Sequence, residues 1–112
     1  MAIWLVSRHS GATAWIEQQG IAIDHKISHL DADAVQSGDT VVGTLPIHLV
    51  AALNARGIYY VHLELNIPAH LRGQELTLEQ MTDVGVSLVP YKAERDLPPS
   101  AFSQLYDKTE NC

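Results

Sequence analysis

The feature that most constrains this chain is the run Ala2-Ile-Trp-Leu-Val6, wholly apolar, which gives way at once to Ser7-Arg-His-Ser-Gly11. A run this short and this apolar suits a strand buried on both faces, the environment of a central strand in a parallel sheet covered on both sides. The residues beyond the loop read as a helix: Ala12, Trp15, Ile16 and Gln19 fall at helical spacing, with Gly20 in the stop position. Strand, polar loop and short helix open a βα unit.

The rest of the chain continues in kind. Ile21 to Ile27 alternates, with Ile21, Ile23 and Ile27 on one face, and predicts a half-buried strand. After a polar connection over Asp31 to Ser37, Thr40 to Thr44 predicts a second short buried strand. Thr44 is placed to cap the helix that follows, Pro46 suits its first turn, and Ile47 to Arg56 is rich in Ala and Leu with Gly57 behind it. Ile58 to Leu65 predicts a strand with Tyr59, Val61, Leu63 and Leu65 on the core face and Tyr60, His62 and Glu64 on a solvated or interfacial one. Thr77 and Gln80 fit a capping box, and Met81, Val84 and Leu88 form a helical stripe, with a strand over Val86 to Val89 as the alternative reading. The order β-α-β-β-α-β-α predicts a small α/β sandwich with a mainly parallel sheet. One domain over residues 1–93 is expected, followed by a polar tail over 94–112 that is poorly ordered or docks on a partner. Trp4, Trp15 and Met81 read as core.

Charge and cysteine content remove several function classes. Seven Lys plus Arg against thirteen Asp plus Glu give a net charge of −6, the wrong sign for a domain that coats itself along DNA, RNA or an anionic membrane. The one cysteine, Cys112, allows no internal disulfide and no cysteine-based metal knuckle, which fits a reducing, cytoplasmic setting. The opening residues lack the basic region of a signal peptide and are too few for a membrane span.

In open α/β sheets, ligands sit outside the carboxyl ends of the strands, where free helix N–H groups favour anions. That rule selects two loops. The first, Ser7-Arg8-His9-Ser10-Gly11, combines a permanent cation, an imidazole, two hydroxyls and a glycine that allows close approach of a backbone. The second is Gly43-Thr44-Leu45-Pro46, with His48 in the first turn of the helix. If strands one and three are neighbours, both loops form one pocket suited to phosphate, with Arg8 as the gripping cation and His9 as the proton-transfer group. The bland alternative is that Ser7 or Ser10 only caps the next helix. His25, His29 and Asp31 share a face that is otherwise isoleucine, so partly buried, hydrogen-bonded histidines are expected there rather than a metal site. Tyr60, His62 and Glu64 suit a subunit interface at least as well as catalysis, and His70 reads as loop surface. No P-loop, GxGxxG or nucleophile elbow occurs, and no metal or cofactor is expected.

The segment Val6-Ser-Arg-His-Ser-Gly-Ala12, the later His29-Leu-Asp31, Gly38-Asp-Thr-Val-Val-Gly-Thr-Leu-Pro46 with His48-Leu49, and Arg72-Gly-Gln-Glu-Leu-Thr77 with Met81 together resemble the small CRISPR-associated Csx family numbered sixteen. The resemblance covers residues 3–92. It implies a Rossmann-like, three-layer fold akin to CARF domains, a homodimer, and a ring nuclease that linearises cyclic oligoadenylate bound at the dimer interface, cyclic tetra-adenylate above all. Within the matching loops, Ser7, Arg8 and His9 are the expected catalytic residues; Ser10, Gly11, Gly43, Thr44, Leu45, Pro46 and His48 are expected to bind the ligand. A module that binds the messenger without cutting it would use the same residues. A histidine-type phosphatase is a further rival, because Arg8-His9 follows the first strand, although Ser10 stands where that superfamily has Gly.

Overall fold

The computed structural model describes residues 1–8 and 10–96; His9 and the stretch 97–112 lie outside the described residues. The apolar run at the start forms β1 (Ile3–Val6), and the polar loop leads into α1 (Ser10–Gln18). Then come β2 (His25–Ile27), β3 (Thr40–Gly43), α2 (Ile47–Ala55), β4 (Tyr59–Leu65), a single 3-10 turn at Ala69–Leu71, α3 (Leu78–Val84) and β5 (Val86–Tyr91).

The five strands make one sheet in the order β2-β1-β3-β4-β5. β1 pairs in parallel with both β2 and β3, and β3 with β4; β5 alone runs antiparallel, against β4. From β1 the chain crosses through α1 to one side, and from β3 it crosses through α2 to the other, so the winding reverses between β1 and β3. This is a doubly wound, Rossmann-like α/β domain, and the reversal between β1 and β3 is its topological switch point.

Burial follows the strand period. Trp4, Val6, Val41 and Tyr60 face one side and pack with Val50, Leu53, Ile58 and Val35, so α2 covers that face. Leu5, Val42 and Leu63 face the other and pack with Ala12, Ile16, Leu76 and Met81, so α1 and α3 cover that one. Helices on both faces explain why β1 and β3 read as unbroken apolar runs rather than as alternation.

Four expectations need correcting. The strand expected over Ile21 to Ile27 is paired only at His25–Ile27; Ile21 and Ile23 reach the α1 side of the core from the connecting loop instead. On β4 the exposed residue is Tyr59, at 63%, whereas Tyr60 is 2% exposed, because α2 covers the face that the alternation assigns to solvent. Thr44 does not cap α2. The N-cap is Pro46, whose extended backbone starts the helix with no side-chain cap. The helical stripe from Met81 breaks at Gly85, where a φ of 84° ends α3, and Val86 to Tyr91 turn back as an edge strand that tolerates Pro90. The Thr77 and Gln80 capping box forms in both directions. Trp15 packs against the core from a half-buried position, while Trp4 and Met81 are inside it.

Candidate functional site

The register aligns Ile27, Val6, Gly43 and His62 across β2, β1, β3 and β4. Whatever follows Ile27, Val6 and Gly43 therefore leaves the sheet at one edge. There, Ser7 and Arg8, Ser28 to Leu30, and Thr44 to Pro46 with Leu49 line a cavity of about 420 Å³ at the switch point. The two loops selected from sequence do meet. They are joined by a third, after β2, that sequence reading assigned no role in the pocket.

Arg8 is exposed, and among the described residues no hydrogen bond or ion pair engages its guanidinium. The contrast is with Arg56, which is spent on the carbonyls of Ala32 and Val35 at 2.5 and 2.8 Å, and with Lys26, which pairs with Glu17 at 2.6 Å. Ser7 is tied to the sheet through its amide, which donates to Ile27 O at 3.0 Å. His29 lines the Arg8 cavity and is exposed. His25 is exposed as well and stacks on Trp4 at a centroid distance of 4.0 Å. The hydrogen-bonded, partly buried pair expected at these positions is thus replaced by one stacked and one cavity-lining ring, because β2 is too short to carry both into the sheet. Among the described residues, no group of three or more His, Cys, Asp or Glu side chains is placed to hold a metal ion.

The two glycines of the predicted site are both close-packed against protein. A Cβ on Gly11 would lie 2.5 Å from Leu76 O and 2.4 Å from Thr77 C, and the Gly11 amide donates to Leu76 O at 3.0 Å. The close backbone approach foreseen for a ligand is taken by the segment ahead of α3. A Cβ on Gly43 would lie 2.7 Å from Val6 O, so Gly43 lets the ends of β1 and β3 come together.

The second loop is held by one buried phenol. The Tyr60 hydroxyl donates to Gly43 O at 2.9 Å, accepts the Leu45 amide at 2.9 Å and contacts His62 Nδ1 at 2.7 Å. Burial pushes the Tyr60 phenol up from its ordinary pKa, partly offset by the Leu45 N–H. The Leu45 amide is committed and Pro46 lacks one; the first-turn amides of α2 at Ile47 and His48 belong to residues that do not line the Arg8 cavity. The His48 side chain itself is exposed and does not line the cavity; its neighbour Leu49 does. His9 lies outside the described residues, as does the side chain of Ser10.

Fold and edge together define a doubly wound α/β domain in which Arg8, unengaged among the described residues, shares a cavity at the switch point with the loop ahead of α2. Residues 4–94 match the model of the family described as "Putative CRISPR-associated protein (Cas_VVA1548)", and the chain belongs to that family. Neither a curated protein nor a solved structure gives a match. No helix among the described residues is long and apolar enough to cross a membrane.

Proposed function

We propose that this protein is a ring nuclease that opens cyclic oligoadenylate, cyclic tetra-adenylate above all, and so ends the signal of a type III CRISPR system. The observation that carries this reading is the shared cavity: Arg8, whose guanidinium is unengaged among the described residues, and the Thr44 to Pro46 loop ahead of α2 line it together at the carboxyl edge of β1 and β3. Membership of a CRISPR-associated family supplies the context.

The chemistry asks little of the protein beyond geometry and charge. The ribose 2′-oxygen attacks its own phosphate, the P–O2′ bond forms as the P–O5′ bond breaks, and a 2′,3′-cyclic phosphate and a free 5′-hydroxyl result. In-line placement and stabilisation of the five-coordinate phosphorus supply the rate. Arg8 stabilises that charge, Ser7 and the Thr44 to Pro46 loop position the phosphate, and His9, in the same loop as Arg8, protonates the departing 5′-oxygen. A homodimer would offer both loops twice to a ligand with four phosphates. Ile47, 77% exposed, and Tyr91, 50% exposed, line one cavity beside the loop ahead of α2 and favour a partner there. A net charge of −6 is compatible with this compact ligand, because a few local donors replace the spread of cations that long nucleic acid needs.

The deciding experiment incubates the pure protein with labelled cyclic tetra-adenylate in the presence of a chelator and resolves the products. Linear species ending in 2′,3′-cyclic phosphate support the reading. Tight binding with the ring left whole makes the protein a module that sequesters the messenger, and neither binding nor cleavage removes the reading.

A further inference from the structure

Three contacts converge on the Tyr60 hydroxyl oxygen, and each needs one proton. The Leu45 amide brings its own, at 2.9 Å. The Gly43 carbonyl, also at 2.9 Å, has none to give and must receive the hydroxyl proton. The third contact, to His62 Nδ1 at 2.7 Å, is then a hydrogen bond only if Nδ1 carries the proton and donates it. The buried phenol therefore fixes the imidazole in its Nδ1–H form and leaves Nε2 as the one ring nitrogen that exchanges a proton.

The surroundings of the ring fit that role. Tyr91 meets it edge-on at 5.7 Å and Tyr60 at a tilt at 5.8 Å, which hold its plane. Among the described residues, His62 makes no other hydrogen bond. It lines a second cavity, of about 480 Å³, with Leu45, Glu64, Tyr91 and Lys92. Glu64 accepts the Tyr91 hydroxyl. Leu45 lines this cavity and the Arg8 cavity alike, so the two adjoin at the loop ahead of α2.

We infer that His62 is a catalytic proton-transfer residue of this site, its Nε2 accepting the ribose 2′-proton, with Tyr60 as the residue that positions it. The inference rests on the ring cleavage proposed above. As the 2′-oxygen bonds to phosphorus its proton passes to Nε2, the P–O5′ bond breaks, and the departing 5′-oxygen takes up a proton, the second transfer that the proposed cleavage already requires. The ring becomes a cation without losing its bond to Tyr60, since Nδ1 donates in both states. This is the property a general base needs: one nitrogen anchored, the other without a bond among the described residues.

Two measurements test it on the full chain. In the wild-type protein, the nitrogen-15 shifts of neutral His62 should report the Nδ1–H tautomer, and in Tyr60→Phe the Nε2–H form should grow. A wild-type ring in the Nε2–H form overturns the inference without any variant having to fold. His62→Asn keeps a donor beside the Tyr60 oxygen but has nothing at Nε2. It should bind cyclic tetra-adenylate and melt like wild type while single-turnover cleavage falls at least about a hundredfold. Tyr60→Phe should lower the cleavage rate at saturating ligand more than it weakens binding. A His62→Asn protein that cuts at the wild-type rate overturns this inference alone. A wild-type protein that leaves the ring intact overturns the proposed function and this inference with it.

Discussion

The Trp4 indole N–H donates to the Asp39 carboxylate at 3.1 Å, tying the interior of β1 to the turn that starts β3. The same carboxylate accepts the amides of Ala2 at 2.9 Å and Gln36 at 3.0 Å. Three donors on one buried acid, led by the two amides, lower its pKa from 3.8 to about 2. A carboxyl depressed on folding stabilises the native state fully above its unfolded pKa and loses that contribution as pH falls through its folded one. The melting temperature should therefore decline between pH 3.8 and about pH 2, and Asp39→Asn, which cannot accept all three donors, should start lower and decline less. Parallel acid limbs for the two proteins would show that Asp39 does not control this region.

Gly11→Ala tests what the glycine of the first loop is for. Its Cβ would collide with backbone atoms of Leu76 and Thr77 at 2.4 to 2.6 Å, so one side of the α1 and α3 contact must give way. A loss of about 1 to 3 kcal/mol in urea unfolding is expected. Stability equal to wild type would mean that the segment before α3 moves aside without cost.

Met81 is fully buried between α3 and the sheet, in the cluster that contains Leu5, Leu63 and Leu76. Met81→Ala should cost about 2 to 5 kcal/mol, the sum of lost transfer energy and the cavity left behind. Chemical denaturation measures it, and a loss below about 1 kcal/mol would show that the α3 side repacks.

Arg8→Ala separates function from folding. The side chain is exposed and unengaged among the described residues, so stability should change by no more than about 0.5 kcal/mol. Single-turnover cleavage should fall a hundredfold or more, about 2.7 to 4 kcal/mol of barrier, the cost of removing one donor aimed at developing charge. An unchanged rate removes Arg8 from the mechanism.

Much of the scaffold was legible because it depends on neighbours along the chain. The apolar runs at Ile3–Val6 and Thr40–Gly43, the Thr77 and Gln80 box and the stop glycines after α1 and α2 are local signals, and each forms the expected element. The errors come where a second element decides. Tyr60 looks solvated by alternation and is buried because α2 lies over it; Leu88 looks helical by spacing and is a strand residue because β4 offers it an edge.

The site divides in the same way. Sequence alone determined that Arg8 and the Gly43 to Pro46 segment follow short buried strands, and parallel pairing brings such strand ends to one edge. Only the tertiary structure decided that Gly11 closes on Leu76, that His29 joins Arg8, and that the phenol of Tyr60 contacts both His62 and the Gly43 to Leu45 loop. Local periodicity fixes which elements form, whereas the partner of a buried polar group is set by chains distant in sequence that folding places within hydrogen-bonding reach.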